Sequence, residues 1–167
     1  MKYIIIIFIF FSHQVIARDS GQTEITTDDG IEVFKNEKYY LLKKNVEIIS
    51  DNFELKADLV KAYFNKDLYD IIKISSKGNV LLKSSNGIKA SGEKIDFDVV
   101  NENLHILGIN SLLDNNEINM NSDKEIKVNN ATGEFNINGP NSRLKSNKID
   151  ISGYSIKGKF LQIENTN

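Results

Sequence analysis

A chain of 167 residues, 40% hydrophobic and 26% charged, has the size and composition of one globular domain, which excludes a disordered or fibrous class. A formal charge of -2, with Arg18 and Arg143 the only arginines, excludes nucleic acid as a main partner, because phosphate backbones are held by a basic face. The absence of cysteine excludes disulfides and thiol nucleophiles, so sheet hydrogen bonds and apolar burial must hold the fold.

In chain order, Met1-Lys2-Tyr3 and the apolar run Ile4 to Phe11 have the form of a secretory signal, and Val15-Ile16-Ala17 supplies a cleavage site. Cleavage is expected after Ala17, leaving residues 18–167 as a single exported domain. The run is interrupted by Ser12-His13-Gln14, well short of the roughly 20 residues that span a bilayer. No second stretch approaches that length.

Beyond Thr23 the chain reads as short alternating runs divided by Asn, Asp and Gly turns, which is the pattern of an all-β protein. Strands are expected over Ile31 to Lys35, Tyr39 to Leu42, and Val46 to Ile49, the last with Val46 and Ile48 inward. Phe53 to Ala57 turns Phe53, Leu55 and Ala57 inward, and Leu59 to Phe64 turns Val60 and Phe64 inward. Tyr69 to Ser75 contributes Ile74, and Val80 to Ser84 contributes Val80 and Leu82. Asn86-Gly87 marks the clearest hairpin, since both residues tolerate positive φ. Ile88 to Ala90 and Lys94 to Val99 then carry Ile88, Ala90, Ile95 and Phe97. Asn103 to Leu107 carries Leu104 and Ile106, Ser111 to Leu113 follows, and Glu117 to Asn121 carries Ile118 and Met120. Glu125 to Val128, Gly133 to Asn138, Arg143 to Ser146, Lys148 to Ser152 and Ser155 to Ile163 complete the series. Pro140, the single proline, falls in a turn, where no ladder donor is lost.

A phrase recurs in this series. Asn45-Val46-Glu47-Ile48 leads to Leu55-Lys56-Ala57-Asp58, Asn79-Val80-Leu81-Leu82 leads to Ile88-Lys89-Ala90-Ser91, and a looser copy runs from Asn136-Ile137-Asn138 to Leu144-Lys145-Ser146-Asn147. Its alternation changes phase each time. Leu55 and Ala57 have one parity and Val60, Ala62 and Phe64 the other. A one-residue slip flips every side chain across the sheet, so the chain must turn, bulge or change partner there, and each unit is expected to be two strands joined by a tight corner.

The residues that could carry chemistry have a simpler reading. Asp58, Glu93, Asp96 and Asp98 recur near the corners, yet the pattern shows only that they alternate with buried positions, as solvated faces and corner hydrogen bonds do. Asp28-Asp29 and Asp114-Asn115-Asn116 lack the spaced ligands of a calcium loop. His105 is the one histidine outside the leader and cannot build a zinc site alone. No nucleophile elbow or phosphate loop is present, so no catalytic residue, metal or cofactor is expected. The inward set is aliphatic: closed sheets would make it a core, splayed sheets an apolar groove.

The repeated phrase, carried by Lys44-Asn45-Val46, Leu55-Lys56-Ala57-Asp58, Lys77-Gly78-Asn79-Val80, Ile88-Lys89-Ala90-Ser91 and Leu144-Lys145-Ser146-Asn147, resembles the OstA-like family over about residues 24 to 152. Ser91 stands where that pattern has Asp, and the third copy lacks both its Ala and its Asp. The resemblance implies an open, V-shaped antiparallel β-jellyroll whose parted sheets expose a lipid-binding groove. It further implies a non-catalytic periplasmic protein that binds lipopolysaccharide, shelters its lipid A acyl chains and passes it from the inner to the outer membrane. Its implied partners are the inner- and outer-membrane components of that transport bridge and further copies of itself stacked end to end. The docking edges would lie near Ile31 to Lys35 and Lys148 to Ser152. Two other readings remain: a structural or adhesive β-repeat with a closed core, and a membrane-anchored partner in the same transport system.

Overall fold

The computed structural model describes residues 23–66 and 70–160. The predicted leader and its cleavage site, Tyr69 and the end of the last predicted strand lie outside these residues. The described chain forms fourteen strands: β1 (Glu24–Thr26), β2 (Ile31–Phe34), β3 (Tyr39–Ile49), β4 (Phe53–Phe64), β5 (Ile71–Ser84), β6 (Lys89–Asp98), β7 (Asn103–Leu107), β8 (Ser111–Asp114), β9 (Ile118–Ser122), β10 (Glu125–Asn129), β11 (Glu134–Asn138), β12 (Arg143–Ser146), β13 (Asp150–Ser152) and β14 (Ser155–Lys159). Every pairing is antiparallel, in one sheet that does not close.

The sheet is folded along a seam into two halves of nine strand segments each. One half runs β2, residues 39–43 of β3, 59–64 of β4, 71–77 of β5, 94–98 of β6, then β7, β10, β11 and β14. The other runs β1, residues 46–49 of β3, 53–56 of β4, 80–84 of β5, 89–92 of β6, then β8, β9, β12 and β13. Four long strands therefore belong to both halves. The later strands change half through loops.

The expected strand-corner-strand units are present, and in four strands the corner is a bulge rather than a turn. In β3, β4, β5 and β6 the backbone passes the corner without ending, and a bulge between Lys43 and Val46, Lys56 and Leu59, or Lys77 and Val80 absorbs the phase change. An extra residue in one strand bends it and restores the inward face on the far side. Ala57 and Val60 are accordingly both buried although their parities differ. Only in the third copy do two separate strands, β12 and β13, meet at a turn. Strand β1 was not among the expected elements, and Ile88 belongs to the turn before β6, where its carbonyl accepts from the amide of Ser84.

Candidate functional site: an apolar trough along a hydrogen-bonded seam

The seam is built from residues that accept left-handed backbone. Lys44 and Asn45, Gly78 and Asn79, Gly108 and Asn110, and Gly139 and Asn141 all have positive φ where the chain turns from one half to the other. Asparagine and glycine bear this conformation at least cost. At Gly78 a side chain would also collide with Asp58 of the neighbouring strand. Asn45 Nδ2 donates to Asp28 Oδ2 at 2.7 Å, Asn79 Nδ2 to Asp58 Oδ2 at 3.0 Å, and Asn141 Nδ2 to Asp123 Oδ2 at 2.6 Å. The backbone amide of Asn110 donates to the other oxygen of Asp123 at 3.1 Å. Of the carboxylates first weighed as acid-base candidates, Asp58 is thus a corner fastener, and Glu93 accepts from the amide of Ile109 in the same role, whereas Asp96 pairs with Lys94 and Ser75 and Asp98 with Asn101.

A repeat not recognised in the sequence lies in this seam. Gly108-Ile109-Asn110-Ser111 and Gly139-Pro140-Asn141-Ser142 make the same corner, with each serine hydroxyl donating to its glycine carbonyl at 2.7 Å. Ser111, Ser122 and Ser142 are buried, and the hydroxyl of Ser122 donates to the carbonyl of Asn138 at 2.8 Å. The shared Gly-x-Asn-Ser spelling was the available signal.

The two inner faces descend to this seam. Fifteen of the eighteen predicted groove residues join one apolar cluster: Val46, Ile48, Leu55, Ala57, Val60, Val80, Ala90, Ile95, Ile106 and Met120 are buried, and Phe53, Ile74, Leu82, Leu104 and Ile118 are half-buried against them. The structure does not bring Phe64, Ile88 or Phe97 into that cluster. Phe64 instead meets Tyr40, with ring centroids 5.2 Å apart. Leu42, Ile126, Phe135, Ile137, Leu144 and Ile156 complete the buried set. Leu42 was hidden by the adjoining Lys43-Lys44 pair, which breaks the alternation.

Burial falls from seam to rim. On β5 Val80 is buried and Leu82 half-buried, and the same step occurs from Ile106 to Leu104, Ile126 to Val128, Met120 to Ile118, and Ser111 to Leu113. Two closed, parallel layers would bury both members of each pair; diverging layers bury the inner one more completely. The inner surface is therefore a continuous apolar face, most buried at the seam and partly exposed toward the rim. One cleft of about 430 Å³ opens where Leu104, Val128 and Phe135 of this cluster meet His105, Lys127 and Asn136, and another of about 480 Å³ is lined by Pro140, Arg143 and Tyr154.

The outer faces are polar and cross-linked. Glu125 on β10 lies 3.0 Å from Lys127 Nζ and 3.0 Å from His105 Nε2, and accepts from Asn138 Nδ2 at 3.2 Å. The Lys127 hydrogen bond above all, with those of Asn138 and His105, outweighs burial and holds its carboxyl down at about 2. For Asp96, burial pushes upward but is outweighed by hydrogen bonds from Lys94 and Ser75, so its pKa also lies below the usual value. Among the described residues, no three His, Cys, Asp or Glu side chains are grouped to hold a metal ion.

Residues 24–134 match the family model described as LptA/(LptD N-terminal domain) LPS transport protein. The crystal structure of LptH, the LptA homologous periplasmic component of the conserved lipopolysaccharide transport device from Pseudomonas aeruginosa, shares this fold with a TM-score of 0.60. That likeness covers 84% of this chain and 95% of the other at 12% sequence identity. No curated protein gives a significant sequence match.

Proposed function

Because this chain belongs to the LptA/(LptD N-terminal domain) LPS transport protein family, we propose that it is a non-catalytic periplasmic carrier whose trough shelters the lipid A acyl chains of lipopolysaccharide. The observation that carries this reading is the seam-to-rim fall in burial along an aliphatic face. Half-buried Phe53, Ile74, Leu82, Leu104 and Ile118 still expose apolar surface that hydrocarbon can cover. Transfer of such surface from water gains about 25 cal/mol per Å². The carrier receives its cargo from inner-membrane components and delivers it to outer-membrane ones, after export and cleavage following Ala17.

The ends of the sheet support assembly of copies end to end. Among the described residues, strands β1 and β2 form one pair of free edges and β13 and β14 the other, and free edges template the addition of strands. Ile25, Ile31 and Val33 are exposed at the first end, and Ile149, Ile151 and Tyr154 at the second. Residues 24–34 hold four acidic side chains and no basic one, whereas 148–159 hold Lys148, Lys157 and Lys159 against Asp150 alone. With nine antiparallel segments per half, first and last run the same way. Copies stacked in one sense therefore meet through parallel pairings, β13 with β1 and β14 with β2.

Native mass spectrometry of the exported protein with lipopolysaccharide tests the carrier. Saturable adducts that a closed β-sandwich control lacks are expected. A well-folded sample without adducts overturns the trough assignment and leaves a structural β-repeat. A mature N-terminus at Arg18 is expected, and retention of residues 1–17 points instead to a membrane-anchored partner.

A further inference from the structure

The turn between β6 and β7 extends the inner-face row of β6 beyond the clustered residues and past the end of the sheet. Ile95, Phe97 and Val99 share one parity on β6 and its extension, and the amide of Val99 still donates to the carbonyl of Ile72 at 2.9 Å. Along that row Ile95 is 2% exposed, Phe97 half-buried and Val99 39% exposed; Val100, next on the tip, is 69% exposed. Two adjacent exposed valines at a hairpin tip are unexplained by packing.

The tip is held firmly. Asp98 accepts from the backbone amide of Asn101 at 2.9 Å and from its side chain at 2.8 Å. The neighbouring turn braces it from the side: Asn129 Nδ2 donates to the carbonyl of Asn101 at 3.1 Å, the amide of Asn130 to the carbonyl of Glu102 at 2.9 Å, and Asn130 Nδ2 to Glu102 Oε2 at 2.8 Å. Glu102 takes φ 52° to complete the turn. So many bonds fix the direction in which Val99 and Val100 face, which lowers the entropy cost of any contact they make.

We infer that the β6–β7 turn is a rigid apolar lip at the mouth of the trough, against which the hydrocarbon of a bound lipid lies at Val99 and Val100. The charge around it selects this occupant. Asp98 and Glu102 flank the two valines, with Lys73 across the strand from Asp98 the basic group facing them, so the surroundings are acidic on balance and disfavour an anionic membrane surface, while uncharged acyl chain meets no such penalty. The inference rests on the trough reading of the inner face.

The test uses fluorescently labelled lipopolysaccharide with the exported protein, its Val99→Ser/Val100→Ser variant, and its Leu82→Asp variant. The valine variant is expected to unfold at the same temperature as the parent, because both side chains are largely in water already, and to release lipid about tenfold faster. A photo-crosslinker at position 100 is expected to capture lipopolysaccharide, and one at Lys145 on the outer face of the other half is not. Unchanged release from a parent protein that binds overturns the lip and leaves the trough standing, as does equal capture at both positions. Failure of the parent to bind removes the trough, and the lip with it.

Discussion

Asn79, with a φ of 48°, sits opposite Asp58, and its Nδ2 reaches Asp58 Oδ2 at 3.0 Å across the fold of the sheet. The bond links the bulge of β5 to that of β4. Both residues belong to the repeated phrase, so the motif that names the repeat is also the clip that sets the corner. Asn79→Ala removes the clip and places a less tolerant residue in left-handed backbone, with an expected loss of about 1–2 kcal/mol. Asn79→Gly keeps the backbone and should cost less. Thermal unfolding of the two variants separates the hydrogen bond from the conformational term.

Leu82 is half-buried on the inner face between Leu55 and Ala90. Leu82→Ala is expected to cost about 2 kcal/mol and leave a folded protein, whereas Leu82→Asp places a charge on the proposed lipid-bearing face and is expected to abolish lipopolysaccharide binding. Comparing lipid binding of the two folded variants checks this. Unchanged binding by a folded Leu82→Asp protein contradicts the trough.

The carboxyl of Glu125, held down at about 2, favours the folded state wherever it is ionised there and the unfolded chain can bind a proton. Its contribution is fully present above the unfolded glutamate value near 4.3 and is lost as pH falls toward 2. Glu125→Gln removes that dependence. The parent should lose on the order of 2 kcal/mol more than the variant between about pH 5 and pH 2, read from denaturant midpoints across that range.

Opposite charge at the two ends makes stacking sensitive to salt. Oligomers expected at low ionic strength from the proposed stacking should shorten at about 0.5 M salt, where exposed charges are largely screened. Lys157→Glu/Lys159→Glu in β14 should weaken self-association without lowering the unfolding temperature. Mixing that variant with parent should cap chain growth at one end only, which analytical ultracentrifugation can measure.

Alternation revealed the strands because each has one face wet and one face dry, and it placed Val46, Leu55, Val80, Ile95 and Ile106 inward as the structure has them. It could not reveal that β4 and β6 continue through their corners. A bulge and a turn produce the same shift of parity, and only the pairing partner distinguishes them. Phe97 and Ile88 satisfied the inward pattern but lie outside the cluster, because parity reports a face and not the distance from the seam. The edge strands β1 and β2 exposed apolar side chains that pattern reading assigned no partner. The polar corner chemistry was the least legible part, since Gly-x-Asn-Ser has meaning only when a neighbouring strand supplies the second half of each bond.

The seam has different construction along its length. From β3 to β6 unbroken backbone crosses it, and from β7 onward loops such as 108–110 and 139–142 do so. A continuous strand resists hinging because bending must stretch ladder bonds in both halves at once, while a loop yields through a few dihedrals. The V is therefore stiff toward its N-terminal end and compliant toward its C-terminal end. In the proposed carrier, cargo of differing girth is accommodated by a graded widening along the axis, as in a clothes-peg whose spring lies at one end.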